Sequence, residues 1–314
     1  MKLVVQIPCL NEEATLPAVL ASIPRKLPGI DEVILLVIDD GSTDQTVKVA
    51  RAGGVKQFVH HTRNQGLGRS FHDGVQKALE LGADIVVNTD GDNQYPQDRI
   101  ADLVKPILSG QADIVIADRQ THKIEHFSWS KKLLQRLGSA VVNRAAGTKL
   151  PDAASGFRAY SRESLIRLNT ITRFSYCTET IIQAGNKGLK IASVPVDTNP
   201  PTRKSRLFTS TWEHVLKSAV TIIRAYTMYK PYIIFGTLGW TLFLIGLVPF
   251  ARFVYFSLQD GTTAGHIQSL LVGSLLMIGA FLCLVLNVIA DLIRINRILI
   301  EDNLELTKRQ RYQA

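Results

Sequence analysis

Two hydrophobic periods alternate along the first 200 residues. Consecutive apolar, largely β-branched runs fall at 3–7, 33–38, 57–60, 84–88, 113–117 and 191–196. Between them, apolar residues recur at helical spacing over 13–22, 43–52, 67–81, 97–108, 131–146 and 176–187. Short continuous runs suit strands buried on both faces, and the intervening period suits crossover helices. The alternation therefore predicts an α/β domain with a mostly parallel sheet.

The pattern changes after residue 230. Residues 233–250 and 267–290 hold no charged side chain and show no polar face. As a helix the second run reaches about 36 Å at ~1.5 Å per residue, enough for a hydrocarbon core of about 30 Å. The first continues through Arg252, an arginine placed to snorkel toward headgroups. Two transmembrane helices are expected, over about 232–258 and 267–293; buried helices of a soluble core are the plainer alternative. Before them, Leu207, Trp212, Leu216, Ala219, Ile223 and Tyr226 share a face that Lys217 and Arg224 avoid. That suits an amphipathic helix in the membrane interface, although a helix packed on the first domain would read alike. The expected organisation is a domain over 1–205, an interfacial segment over 206–230, the spans within 231–294 and a basic tail over 295–314.

Charge adds an orientation. The chain of 314 residues carries a net charge of +9. Arg203, Lys204, Arg206, Lys217, Arg224 and Lys230 face only Glu213 across 200–231, a balance suited to anionic headgroups or phosphates. Residues 259–266 contain no Lys or Arg, whereas Arg294, Arg297, Lys308, Arg309 and Arg311 follow the second run. The positive-inside rule then puts the first domain and both termini on the cytoplasmic side of the cell membrane. The start, MKLVVQIPCL followed by Asn-Glu-Glu, offers no leader cleavage site. Cys9, Cys177 and Cys283 form neither a disulfide framework nor a zinc pattern, which fits a reducing compartment. The seven histidines lack ligand spacing and are expected at the surface. Two spans make nucleic acid an unsuitable partner for the basic chain.

In α/β sheets ligands sit beyond the carboxyl ends of the strands. Three of the expected strand ends are polar alike: residues 8–12 (PCLNE), 39–44 (DDGSTD) and 90–94 (DGDNQ). Asp90 and Asp92, two apart on extended chain, point to one face. Together, or with Gln94 Oε1, they suit a hard cation such as Mg²⁺ or Mn²⁺ that completes its shell with phosphate and water. An acidic solvated turn would read the same way. Asp40 can accept a base N–H, Glu12 can approach the ribose or base, and Asp39 or Asp44 can cap the following helix. Gly66 and Gly68 would let backbone approach a ligand. Neither GxxxxGK[ST] nor a strand followed by GxGxxG is present.

The ordered set PCLNE, DDGSTD, NQGLG (64–68), DGDNQYP, SGFR (155–158) and RKSR (203–206) resembles the family-2 glycosyltransferases. It is most similar to the dolichyl-phosphate mannose synthase and polyprenyl-phosphate glycosyltransferase branch. The resemblance covers residues 3 to about 230. It implies a GT-A fold, a UDP- or GDP-sugar donor, a polyprenyl phosphate acceptor and inverting transfer of one sugar with Mg²⁺ or Mn²⁺. By the same resemblance Pro8, Leu10, Glu12, Ile38, Asp39 and Asp40 hold the nucleoside. Asp90, Gly91, Asp92 and Gln94 meet the diphosphate and metal, and Arg119 contacts phosphate. Arg158 is architectural, with Gly156 permitting a tight turn. Gly91 and Asn93 depart from the family's usual DADLQ, and RKSR shortens its usual basic segment, so Arg203, Lys204 and Arg206 all stand as acceptor-phosphate residues. The QxxRW of processive synthases is absent. A lipid phosphate is already anionic and needs no strong base; were the acceptor a hydroxyl, Asp152 would be the candidate base, although its place at a turn suits a structural role as well. A non-catalytic membrane scaffold is the alternative of another class. Association of copies is conceivable through Gly273 and Gly279 in the second span.

Overall fold

The computed structural model describes residues 1–121, 129–170, 176–200, 229–260 and 267–313, with Val220, Ile223 and Thr227 besides. Arg203, Lys204 and Arg206, most of the segment expected at the interface, the histidine pair His122 and His126, and the loop 261–266 lie outside the described residues.

The chain divides into two units, residues 1–222 with 303–314, and residues 223–302. The first is built on a seven-stranded sheet: β1 (Lys2–Cys9), β2 (Glu32–Asp39), β3 (Gln57–His60), β4 (Ile85–Asn88), β5 (Ile114–Asp118), β6 (Arg158–Ser161) and β7 (Ile191–Pro195). Their order is β3-β2-β1-β4-β6-β5-β7. All neighbours pair in parallel except β6, which runs antiparallel to both β4 and β5. The helices are α1 (Leu16–Ser22), α2 (Thr46–Ala52), α3 (Leu67–Glu80), α4 (Ile100–Leu108), α5 (Trp129–Ala146), α6 (Arg162–Arg167) and α7 (Tyr176–Asn186). The six expected strands and six expected helices are all present. The pair β6–α6 is additional. Its strand, RAYS, is only four residues long and begins on an arginine, so it carries no periodic signal.

Leu3, Val5, Ile7, Ile85, Val87 and Val115 are fully buried, and one face of them forms the core with α1 and α4. On the opposite face α3 buries Phe71, Val75, Ala78 and Leu79, an i, i+4, i+7, i+8 stripe. It lies close because residue 74 is glycine: a Cβ there would meet Gln6 Oε1 at 2.7 Å and Ile38 Cδ1 at 2.9 Å.

The second unit holds α8 (Thr237–Asp260), entered through a π-helical turn at Tyr232–Gly236, and most of α9 (Ile267–Gln313). Both helices are long and apolar enough to cross a membrane. Their glycines serve packing inside this hairpin. A Cβ on Gly273 would stand 2.8 Å from Phe250 Cδ2, and one on Gly239 3.3 Å from Cys283 Cβ. Gly273, expected to associate copies, is thus used within one chain, and Gly279 likewise faces Leu242. Arg294 pairs with Asp291, and Arg297 with Glu301 and the Tyr229 ring and hydroxyl.

The segment expected as a basic tail over 295–314 is helical, continuing α9 to Gln313. Its last turns fold with the first unit. Arg309 forks between Glu163 and Glu305, and Arg311 Nη2 donates to Glu80 Oε1 at 2.8 Å. These two cations, counted in the sequence toward a cytoplasmic orientation, pair with carboxylates of their own chain.

Close helix packing gives a first prediction. A Cβ on Gly185 of α7 would fall 2.0 Å from the Ala146 carbonyl oxygen. Gly185→Ala should destabilise the protein by roughly 1–3 kcal/mol, read as a lowered thermal midpoint in detergent.

Candidate active site

Parallel pairing carries the acidic segments to one edge of the sheet. Cys9 lies level with Asp39, and Gln6 with Asn88, so the loops after β1, β2 and β4 emerge side by side. The first two are laced together. Asn11 N donates to Ser42 Oγ (3.0 Å), Thr43 N to Asn11 Oδ1 (2.8 Å) and Glu12 N to Thr46 Oγ1 (2.8 Å). Asn11 has φ 57°, a left-handed conformation that asparagine tolerates. Pro8 and Leu10 lie along this edge half-buried, whereas Ile38 is fully buried with its side chain against α3.

Asp39 and Asp40 are separated by their partners. Asp39 Oδ1 accepts from Ser42 N at 3.0 Å, and His60 Nδ1 lies 3.3 Å from its Oδ2. Asp40 accepts from Gln65 N (2.8 Å) and Gly66 N (2.9 Å), while His61 Nδ1 lies 2.7 Å away. Gly66 has φ 95°, which a residue with a Cβ would resist. His61 Nε2 in turn meets Asp73 at 3.1 Å, and Arg69 pairs with Asp73 at 2.8 Å. His61 is therefore a buried bridge between two carboxylates, not the surface histidine expected. The parallel register of β2 and β3, which places Asp39 beside His60, is the signal that pairs the Asp-Asp and His-His steps.

At the end of β4, Asp92 accepts from Gln94 N (3.1 Å) and Gln94 Nε2 (2.8 Å). Gln94 thus turns a donor toward Asp92 and orients it. Asn93 has φ 60°, so asparagine here suits the left-handed turn that brings Gln94 back. Gly91 answers a close approach: a Cβ would meet Cys9 Sγ at 3.0 Å and Glu12 Cγ at 3.3 Å. Thr15 Oγ1 reaches the Gly91 carbonyl (2.8 Å) and Glu12 Oε2 (2.9 Å), tying PCLNE to this turn.

No donor among the described residues reaches the Asp90 carboxylate. Burial first, and the Asp92 carboxylate second, push it up to about 7. Two hard carboxylates, one of them holding its proton near neutrality, fit a divalent cation, which would displace that proton.

Gly156 lies against Asp90. A Cβ there would stand 3.3 Å from Asp90 Oδ2 and 3.3 Å from the Tyr176 hydroxyl. Its need is space for that carboxylate, not the tight turn expected. Tyr95 Oη accepts from Gly156 N at 3.0 Å, and Asn88 Nδ2 donates to the Gly156 carbonyl at 3.1 Å. Arg158 is fully buried and donates to the carbonyls of Ser155, Cys177 and Ala153, an architectural position.

Arg119, after β5, is closed on Asp152: Nε to Oδ2 at 2.7 Å and Nη2 to Oδ1 at 3.0 Å. Burial works to raise the Asp152 carboxyl, but the guanidinium overrides it and holds the group below the usual carboxylate range. Asp152 is thus an ionised anchor for Arg119.

A mostly parallel seven-stranded α/β sheet whose acidic strand ends converge on one edge has the GT-A architecture. Residues 4–168, just over half of the chain, match the model "Glycosyl transferase family 2", and the chain belongs to that family. Among curated relatives it is 30% identical to the UDP-N-acetylglucosamine–dolichyl-phosphate N-acetylglucosaminyltransferase of Methanococcus voltae, over 61% of this chain and 83% of that one. It is 27% identical to the polyprenol monophosphomannose synthase of Mycolicibacterium smegmatis, over 60% and 74%. Glucosyl-3-phosphoglycerate synthase from Mycobacterium tuberculosis, solved with Mn²⁺, UDP and glucosyl-3-phosphoglycerate, matches at TM-score 0.56 and 26% identity, over 71% and 78%.

The Arg119–Asp152 pair yields a pH prediction. Asp152→Asn should cost roughly 3 kcal/mol at neutral pH, because it strands a largely buried guanidinium. The folded pKa of Asp152 is depressed, so its contribution is complete above the unfolded carboxylate pKa and is lost as pH falls through the folded one. The gap between wild type and Asp152→Asn should stay level from pH 8 to about 5 and narrow only below the ordinary carboxylate range of about 4, in denaturant titrations at each pH.

Proposed function

We propose that this enzyme transfers one sugar, with inversion, from a UDP- or GDP-sugar to a polyprenyl phosphate at the cytoplasmic face of the cell membrane. The observation that carries the acceptor is the state of Asp152. The candidate base for a hydroxyl acceptor is spent on Arg119 through both oxygens. An acceptor that arrives as a phosphate anion requires no base. The two apolar helices and the relatives named for lipid-phosphate acceptors support the same reading.

In this reading the PCLNE and DDGSTD loops hold the nucleoside through Glu12, Asp39 and the backbone around Pro8, Leu10 and Ile38. Asp40 shapes the pocket by fixing the backbone of Gln65 and Gly66. Asp90 and Asp92 would hold Mg²⁺ or Mn²⁺, and Gln94 orients Asp92. The cation supplies charge neutralisation for the leaving diphosphate. Arg119, fixed by Asp152, faces the phosphates. Arg203, Lys204 and Arg206 hold the acceptor phosphate in line behind the anomeric carbon. The phosphate oxygen forms the new bond to that carbon as its bond to the nucleoside diphosphate breaks, and the diphosphate leaves with the electron pair. Residues 206–230 lie in the interface, α8 and the apolar part of α9 span the bilayer, and both termini are cytoplasmic.

A second reading, a small phosphorylated acceptor used through its hydroxyl, is favoured by the solved relative crystallised with UDP-glucose and phosphoglyceric acid. One assay separates the two. Detergent-purified protein with Mn²⁺ and undecaprenyl phosphate is offered radiolabelled UDP-glucose, UDP-N-acetylglucosamine, UDP-galactose and GDP-mannose in turn. Label should enter the organic phase with one donor and fall by about 100-fold or more in Asp92→Ala. Nucleotide binding without organic-phase label from any donor would transfer support to the hydroxyl reading.

A further inference from the structure

Helix α3 is gripped at both ends. Its amino end supplies the Gly66 N–H held by Asp40, and Asp73 on its first turns meets His61 on the far side of that carboxylate. Its carboxyl half meets the last turns of α9. The Tyr312 hydroxyl donates to Gln76 Oε1, and Arg311 bonds Glu80. Lys308 lies alongside, 9% exposed, and donates to the Leu168 carbonyl at 2.6 Å beyond the end of α6.

We propose that the terminal turns of α9 are a brace that positions α3, and through it the Asp40 loop, for donor binding. Tyr312, Arg311 and Lys308 are its positioning residues. The inference rests on the reading that this loop borders the nucleoside. A close-packed helix moves as a body, and Gly74 seats α3 directly on β1 and β2. From Gly66 to Gln76 is only about 15 Å at ~1.5 Å per residue. The same helix reaches the diphosphate side: Phe71 stacks on Tyr176 with centroids 3.9 Å apart, and the Tyr176 hydroxyl donates to the Gly156 carbonyl beside Asp90. The choice of lysine supports a positioning role. Burial first, and Lys187 second, pull its amine down to about 8. A buried ammonium is a weak source of stability, and this one donates to the Leu165 and Leu168 carbonyls, on α6 and just past its end. Because α9 also carries the apolar run 267–290, the brace belongs to the same helix that is expected to cross the bilayer.

The test uses the full chain in detergent. Glu80→Arg breaks the pair with Arg311, Tyr312→Phe removes one hydroxyl with little risk to folding, and Glu80→Arg combined with Arg311→Glu restores the pair in reverse. Hydrogen exchange of residues 61–70 reports the loop without any donor. Calorimetry with UDP and GDP, donor KM and kcat, and the thermal midpoint accompany it. The brace predicts that Glu80→Arg and Tyr312→Phe speed exchange at 61–70 and weaken nucleotide binding and donor KM by about threefold or more, with kcat little changed. The reversed pair recovers both. A lower thermal midpoint with exchange at 61–70 and nucleotide affinity unchanged would overturn the brace and leave the tail a stabilising contact only. If wild type transfers nothing to polyprenyl phosphate, the acceptor reading fails. The exchange comparison still decides the brace.

Discussion

A carboxylate at the end of a buried strand must find donors or a cation, and this requirement organises the active edge of the sheet. Asp40 closes on two backbone amides and His61; Asp39 takes Ser42 N; Asp92 takes Gln94; Asp152 takes Arg119. Each partner fixes a loop that would otherwise be free to move. Asp90 is different: among the described residues it has no donor, and burial beside Asp92 raises it to about 7. The protein's own donors thus hold the other carboxylates, and Asp90 beside Asp92 stands where a cation would suit the pair.

The same principle extends to the basic residues. Arg309 and Arg311 find Glu163 and Glu80, and Arg297 finds Glu301. Cations that a linear reading counts only toward membrane orientation also serve helix docking and helix pairing. The glycines behave likewise. Gly74, Gly91, Gly156, Gly185 and Gly273 each stand where a Cβ would meet another group at 3.3 Å or less, so they record contacts between segments distant in sequence.

Much of the fold was legible because buried strands and amphipathic helices leave different periods in a sequence, and six of each were readable in order. β6 and α6 were not, since RAYS and RESLIR are too short for a period to show. The acidic clusters were readable as a group because they follow apolar runs. Which oxygen goes to which partner was not: nothing linear tells that Asp40 is closed by Gln65 and Gly66, 25 and 26 residues away. His61 read as a surface residue for the same reason.

The sequence by itself determined the class of fold, the run of acidic residues that follows its strands and the presence of two helices able to span a membrane. These depend on local periods and on composition along contiguous runs. Tertiary structure alone decided that Asp152 anchors Arg119, that Gly156 makes room for Asp90, that Gly273 seals the helical hairpin, and that the end of α9 returns to α3. Those outcomes depend on hydrogen bonds and close contacts only a few ångströms long, formed between residues tens to hundreds of positions apart, and no periodicity in the chain encodes such distances.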